Sequence, residues 1–392
     1  MKTNVGVFFG GRSVEHEISV ISALQAMAAM DKNKYTVWPV YISKQGRWYT
    51  GEALLQAENY RDTGALCKRC TEVYLKPEYG NNTLYKSRKP LVGRDAVCNI
   101  DVIIPVLHGT CGEDGIFEGM VEMTGIPYAA CNPLSSANGM DKITMKMILR
   151  QSGIPVVDYT WFTDRQWGTD KQRFIDEAEK TLGYPIIVKP ANLGSSVGIS
   201  QAHDREQLTA AVDTACQYST RIIVEHMITG LKEINCSVLG TADRHRTSVC
   251  EEPLRSGEIL SYQDKYMNGG KSSKGMQSTH RRIPAELPDE VTERIRHYAS
   301  ETFRVLSCMG VARVDVMIDE ADGQIYVNEI NAIPGSLSFY LWEATGLKFS
   351  ELMDELVSLA LQRSRHLAGK INSYDQNIFN MGGGAKGGKF MK

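Results

Sequence analysis

Two consecutive runs near the C-terminal end constrain the chain most. Residues 311–319 (VARVDVMID) and 324–331 (QIYVNEIN) alternate polar with apolar positions and are rich in β-branched side chains, the pattern of half-buried strands. Between them, Ala321-Asp322-Gly323 reads as a three-residue hairpin loop with glycine where positive φ is needed. That turn predicts a register in which Asp319 opposes Ile325, Asp315 opposes Glu329 and Arg313 opposes Asn331. Side chains two apart share a face, so Arg313, Asp315, Glu329 and Asn331 project together. Directly opposed carboxylates repel, by roughly 3 kcal/mol at ~5 Å and an effective dielectric near 20. A cation between them relieves that repulsion. Two carboxylates and an amide oxygen are hard ligands that suit Mg²⁺ rather than zinc. The competing reading is a solvated polar face of a hairpin.

The rest of the chain has to supply what such a cation serves. At 392 residues it has room for two or three domains. A net charge of −2, without charge runs, gives no reason to expect nucleic acid or a membrane surface as partner. No signal-like apolar core opens the chain, and nine scattered cysteines fit a reducing cytoplasm.

The first ~130 residues read as βαβ: strands at 4–9, 35–42 and 102–107, a helix over about 14–30 with Ser13 as N-cap, and another over 115–124. This rhythm predicts a parallel, Rossmann-like sheet. The stretch 51–95 is poorly patterned. Gly10-Gly11 lacks the third glycine of a dinucleotide fingerprint, which argues against a nicotinamide dehydrogenase. A second unit, 131–220, opens with a helix over 141–151 that places Lys142 and Lys146 on one face. Its strands are expected at 157–162, 185–189 and 197–201, with helices over 170–182 and 205–217. A third unit, 221–367, carries strands at 221–227 and 232–239 and then the hairpin. Residues 368–392 form a glycine-rich tail expected to be flexible, at least from Met381.

Within this frame, Lys189 and the small residues Gly194, Ser195 and Ser196 form a strand–loop–strand that offers backbone N–H groups and a charge to phosphate. Glu225 ends a buried-looking strand and Glu233 follows a turn, so both can face an adenine edge or ribose. His108 and Glu15 stand after parallel strands, where open α/β sheets bind ligands; together they suggest recognition of a small zwitterion.

Taken in order, these motifs resemble the ATP-grasp superfamily and, within it, the D-alanine-D-alanine ligases: GGRSVEHE at 10–17, HG with GEDG at 108–115, MDK at 140–142, the 189–198 loop, Lys265-Tyr266, Arg313-Val314-Asp315, and NEIN at 328–331 followed by Pro334-Gly335. The resemblance spans about residues 4–365. It implies an α/β chain with a Rossmann-like N-terminal domain followed by a two-lobed ATP-grasp fold. It also implies ligation of two D-alanines through an acyl phosphate, for peptidoglycan precursors of the cell wall. ATP and two Mg²⁺ are then required, with Mn²⁺ able to substitute, and the enzyme is a cytoplasmic homodimer.

Residue by residue, the resemblance gives Lys142, Lys189 and Ser196 to the ATP phosphates, Glu225 and Glu233 to adenine and ribose, and Lys265 to the γ-phosphate. It gives Asp315, Glu329 and Asn331 to the metals and Glu15, with His108 nearby, to the first D-alanine. Ser195 and Tyr266 link the N-terminal domain to a mobile loop, and Arg313 with the Gly335 amide stabilises the oxyanion. Residues 264–281 have the composition of a lid. One departure stands out: the family's serine for the carboxylate of the second D-alanine is replaced by Tyr340, although Leu341 is kept, and Ser338 is the neighbouring hydroxyl. Tyr266, where lactate-using relatives carry histidine, favours an amine nucleophile. The alternatives are a sister dipeptide or depsipeptide ligase with another second substrate, or an inactive nucleotide-binding regulator.

Overall fold

The structure, a computed structural model, describes residues 2–90, 92–194, 197–254 and 281–374. Ser195, Ser196, Lys265, Tyr266, most of the expected lid and the end of the tail lie outside the described residues.

A seven-stranded sheet comes first. Its parallel part pairs Thr3–Gly10 with Tyr35–Ile42 on one side and Val102–Val106 on the other. Tyr128 adds only an isolated parallel bridge. The poorly patterned stretch forms much of the antiparallel extension, Trp48–Thr50, Thr71–Leu75, Thr83–Lys86 and Ala96–Asn99. The expectation of a parallel sheet therefore holds for three strands and not for the four added at one edge. These are short and flanked by turns, so their alternation spans too few residues to register. The first helix also starts later than expected, His16–Ala29. Ser13 accepts the Glu15 N–H at 3.0 Å rather than capping a helix from residue 14.

A four-stranded antiparallel sheet follows, in the order Ser200–Ala202, Ile186–Pro190, Arg221–His226, Tyr159–Thr163. Helices Lys171–Thr181 and Arg205–Ala215 cover one face through Phe174, Ile175, Leu208 and Val212. The other face looks toward helix Lys142–Gln151. Asp141 starts that helix by accepting the Thr144 N–H at 2.8 Å. A preceding helix, Pro133–Met140, escapes the sequence pattern because its apolar positions are few.

The last sheet has five antiparallel strands in the order Arg281–Arg282, His245–Pro253, Leu231–Thr241, Met309–Asp319, Ile325–Asn331. Alternation sorts its faces. Ile234, Cys236, Val238, Val314 and Val316 pack with Ile295 and Phe303 of helix Asp289–Val305, while the opposite face carries the polar residues of the site. Helix Phe349–Ala368 lends Leu352, Met353 and Leu356 to the same core as Val5, Val7 and Val106, so the C-terminal segment closes over the first sheet.

The hairpin corrects the expected register in an informative way. Asp319 N–H donates to Gln324 O at 2.9 Å and Gly323 N–H to Asp319 O at 2.8 Å, a loop of four residues rather than three. Asp319 and Asp322 carboxylates accept the Ala321 and Gln324 N–H groups and shape it. Ile318, not Asp319, therefore opposes Ile325. A β-bulge between Asp315 and Val316 absorbs the difference, with Asn328 as the extra residue. Beyond it, Asp315 opposes Glu329 and Arg313 opposes Asn331, as expected.

Candidate active site

Direct opposition continues across the last sheet. Glu251 faces Asn235, Asn235 faces Asp315, and Asp315 faces Glu329; in the next row Ser237 faces Arg313, which faces Asn331. Two polar rows thus run across three and four strands of one face.

Asp315 and Glu329 each have their own side-chain cation. Arg313 grips Asp315 with two N–H groups, at 2.6 and 2.8 Å. Lys142 Nζ lies 3.1 Å from Glu329 and donates to Leu193 O at 2.9 Å. Asn331 donates its amide N–H to Asp315 at 3.0 Å. The repulsion expected from opposed carboxylates is thus offset before any metal is considered.

Among the described residues no group of three or more His, Cys, Asp or Glu gathers to hold a metal. Two half-buried carboxylates plus an amide oxygen on one face nonetheless suit a hard divalent cation. The residues fit Mg²⁺ by donor type.

Lys189 sits at the base of the phosphate-type loop but points at Glu225, 2.6 Å away, and at Asn328 Oδ1, 3.3 Å away. The bulge that corrected the register is therefore what delivers Asn328. Lys146 Nζ, with no exposed surface, lies 2.9 Å from the other Glu225 oxygen, an ion-pair contact. Glu225 is 1% exposed. Burial opposes its charge, yet the two lysines hold its carboxyl down to about 2. Lys146 is pushed down by burial. Sequence reasoning put Lys146 on the right helix face without a role; its i+4 spacing from Lys142 was the available signal. Glu233 stands opposite Met317 at the start of its strand, on the site face.

This triad has a pH consequence. A carboxyl held below its ordinary 4.5 stabilises the fold fully above that value and loses the contribution as pH falls toward 2. The stability gap between the protein and Glu225→Gln, measured by urea unfolding, should be constant from neutrality to about pH 5 and shrink below it. A gap that does not change down to pH 3 would contradict the ion-pair account.

On the first sheet's edge, Glu15 is buried and close to the phosphate-type loop: a Cβ built on Gly194 would sit 3.1 Å from its Oε2. Glu113, a residue the sequence motif contained but left without a role, accepts the Gly109 N–H at 2.9 Å and the Ile333 N–H at 3.3 Å. Burial, and then the charge of Glu15, push it up to about 8. His108 is bonded at both ring nitrogens, to Ile333 O at 2.8 Å and Ser22 Oγ at 3.0 Å. Burial lowers it to about 4, so the ring is neutral. It braces the first sheet against the segment after the hairpin.

That segment is strained. Ser336, Leu337 and Ser338 have φ of 52°, 52° and 51°, three left-handed non-glycine residues in a row. Ser22 accepts the Ser336 N–H at 2.9 Å, and Gln25 accepts its hydroxyl at 2.7 Å. Gly335 opens this turn, whose burial around Leu337 holds the strain. Ser338 Oγ is buried without a hydrogen-bond partner. Leu341 is buried in the core, and Tyr340 OH donates to Glu251 at 3.0 Å. Glu15, Glu113, Lys142, Gly194, Glu329 and Asn331 line a common cavity of about 30 Å³.

The family model described as D-ala D-ala ligase N-terminus matches residues 4–131, and D-ala D-ala ligase C-terminus matches residues 148–358. The chain belongs to the D-alanine-D-alanine ligase family. It is 39% identical over 380 residues to the D-alanine--D-alanine ligase of Thermosipho melanesiensis, covering 96% of this chain and 98% of that one. It is 41% identical over 368 residues to that of Natranaerobius thermophilus, covering 93% and 96%. Among solved structures it resembles the VanG D-Ala:D-Ser ligase of Enterococcus faecalis, with TM-score 0.77, 30% identity, and 92% and 100% coverage. It also resembles the D-alanine-D-alanine ligase of Coxiella burnetii, with TM-score 0.75, 30% identity, and 94% and 96% coverage. The chain thus has a ligase fold throughout, as the motifs implied. No helix among the described residues is long and apolar enough to cross a membrane.

Proposed function

We infer that the chain uses ATP to join two D-alanines into D-alanyl-D-alanine, forming a C–N bond through an acyl phosphate. Membership of the family supports the reaction. The observation that carries the assignment of residues is the cavity shared by Glu15, Lys142, Glu329 and Asn331, where three separate units of the chain meet.

A carboxylate is a poor electrophile until phosphorylated, so charge on the transferring group has to be neutralised. Lys142 and Lys189 do this from the loop side. Bound at Asp315, Glu329 and Asn331, Mg²⁺ would supply Lewis-acid stabilisation of the phosphate oxygens. Glu15, with Glu113 behind it, receives the ammonium of the first D-alanine. His108 acts at a distance, by fixing Ile333 and, through Ser22, the Ser336 backbone. Arg313 and the Gly335 amide face the oxyanion formed when the second amine attacks. Glu225 and Glu233 are assigned to adenine and ribose. Lys189 has to leave Glu225, wholly or in part, to reach a phosphate, and Lys146 stays behind to keep that carboxylate paired. Ser195, Ser196, Lys265 and Tyr266 complete the site as the family resemblance implies, within a cytoplasmic homodimer that sedimentation would reveal.

One observation favours a second reading, a ligase with another second substrate: the Tyr340 hydroxyl is already committed to Glu251. Phosphate release from ATP and Mg²⁺ with D-alanine alone, then with D-serine, L-alanine or D-lactate added, separates the two. D-alanyl-D-alanine formed from D-alanine alone supports the first. No product until a different second substrate is added overturns it.

A further inference from the structure

Asn328 lies on the edge strand that carries Glu329 and Asn331, and the proposed reaction gives it no task. Strict alternation would send Asn328 and Glu329 to opposite faces of the sheet. The β-bulge prevents that, because Val327 opposes Val316 and Glu329 opposes Asp315, with Asn328 as the extra residue between them. The burial pattern of Ile325–Asn331 breaks at the same place. Val327 and Ile330 are buried in the core beneath helix Asp289–Val305, whereas Asn328 and Glu329 are both half-buried. Each of the two meets a lysine of the preceding unit: Asn328 meets Lys189 at 3.3 Å and Glu329 meets Lys142 at 3.1 Å.

The bond from Lys189 crosses from one sheet to another. Lys189 stands on Ile186–Pro190 of the four-stranded sheet, and Asn328 on the edge of the five-stranded one. An ammonium has three donors and no acceptor, so the amide meets it with its oxygen. Glu225 accepts a second donor at 2.6 Å. The two acceptors differ in kind. Glu225 is charged and 1% exposed, and an ammonium that leaves it gives up a buried ion pair. Asn328 is neutral, so it holds the ammonium without competing with a phosphate for its charge. A carboxylate at 328 would pin the lysine with a second negative charge. With an apolar side chain there, Glu225 alone of the two would set where the ammonium sits.

Building on the assignment of Lys189 to an ATP phosphate, we propose that Asn328 is a positioning residue for nucleotide binding. Its amide oxygen holds the Lys189 ammonium from the other sheet, so that the lysine passes from Glu225 to a phosphate without losing every partner on the way. The bulge is then a functional feature of the hairpin, since it brings this oxygen to a face that alternation would deny it.

A double-mutant cycle at 189 and 328 tests this, read by calorimetry as the dissociation constant for ATP with Mg²⁺. The measurement needs neither turnover nor D-alanine. Asn328→Leu, close in volume, should weaken ATP binding by about 5- to 20-fold, the range for one lost hydrogen bond to a charged group at the long end of its length. In Lys189→Met, where Glu225 keeps Lys146 as a balanced partner, the same change should matter by less than about 2-fold, because no ammonium is left to hold. Unchanged affinity in Asn328→Leu overturns the proposal. An equal loss in both backgrounds overturns it too, since that result marks a role of Asn328 that does not run through Lys189. If Asn328→Leu does not fold, Asn328→Ala takes its place in the cycle. If Lys189→Met binds too little ATP to measure, the four proteins are compared by urea unfolding. Additive losses at 189 and 328 then overturn the proposal, whereas coupled losses together with weakened ATP binding in the single variant at 328 support it. An unaltered protein that binds no ATP would instead count against the ligase reading itself.

Discussion

Glu329→Gln is expected to lower ligation at saturating ATP and D-alanine by about 10³-fold or more while the protein remains folded. Glu329 is one of two carboxylates proposed to hold Mg²⁺, and loss of a single well-placed electrostatic group costs catalysis about 10²–10³-fold. Loss of a metal ligand adds to that. Folding should suffer little, because Lys142 keeps its hydrogen bond to Leu193 O and stays close to the acidic Glu15. Asp315→Asn is a harsher test. It strips Arg313 of the carboxylate it grips with two N–H groups, a pair 12–15% exposed on each side, and should cost up to about 3 kcal/mol of stability as well as activity. Phosphate release across a Mg²⁺ titration, run beside urea unfolding, separates these effects. Near-normal turnover of Glu329→Gln at ordinary Mg²⁺ would remove Glu329 from the metal site.

The second large effect concerns stability. Glu225→Gln should destabilise the protein by about 3–5 kcal/mol, the usual cost of removing one partner from a buried ion pair. Two lysine ammoniums would be left facing a neutral amide, one of them with no exposed surface. Lys146→Met should be milder, because Glu225 and Lys189 would remain as a balanced pair. It should instead weaken ATP binding, since Lys189 would then be the only cation holding Glu225 and would leave it less readily. Urea midpoints give the first comparison and the Michaelis constant for ATP the second. If Lys146→Met proves the more destabilising of the two, the charge accounting of this triad is wrong.

Both effects illustrate what could be read from residues alone. Alternation with a period of two marked the hairpin strands and the face holding Arg313, Asp315, Glu329 and Asn331, because that periodicity is a local property of pleated backbone. The motif spacings marked the ligase family, and the helix over 141–151 put Lys142 and Lys146 on one side. The turn length was misjudged by one residue, and yet the opposed pairs came out as expected. Only the bulge at Asn328 reconciles the two, and a bulge depends on the neighbouring strand and the core behind it.

What tertiary structure decided is where charges find partners. Nothing local says that Lys189 turns to Glu225, that Glu251 collects Asn235, Tyr340 and Arg281, or that three left-handed residues after Gly335 are held by Ser22 and Gln25 of the first helix. Those contacts join segments far apart in sequence, and burial fixes them, because an unpaired ionic group removed from water is too costly to keep. The sequence by itself determined the hairpin strands, the face they share and the family. The partner of each buried charge was settled only by how the three sheets pack.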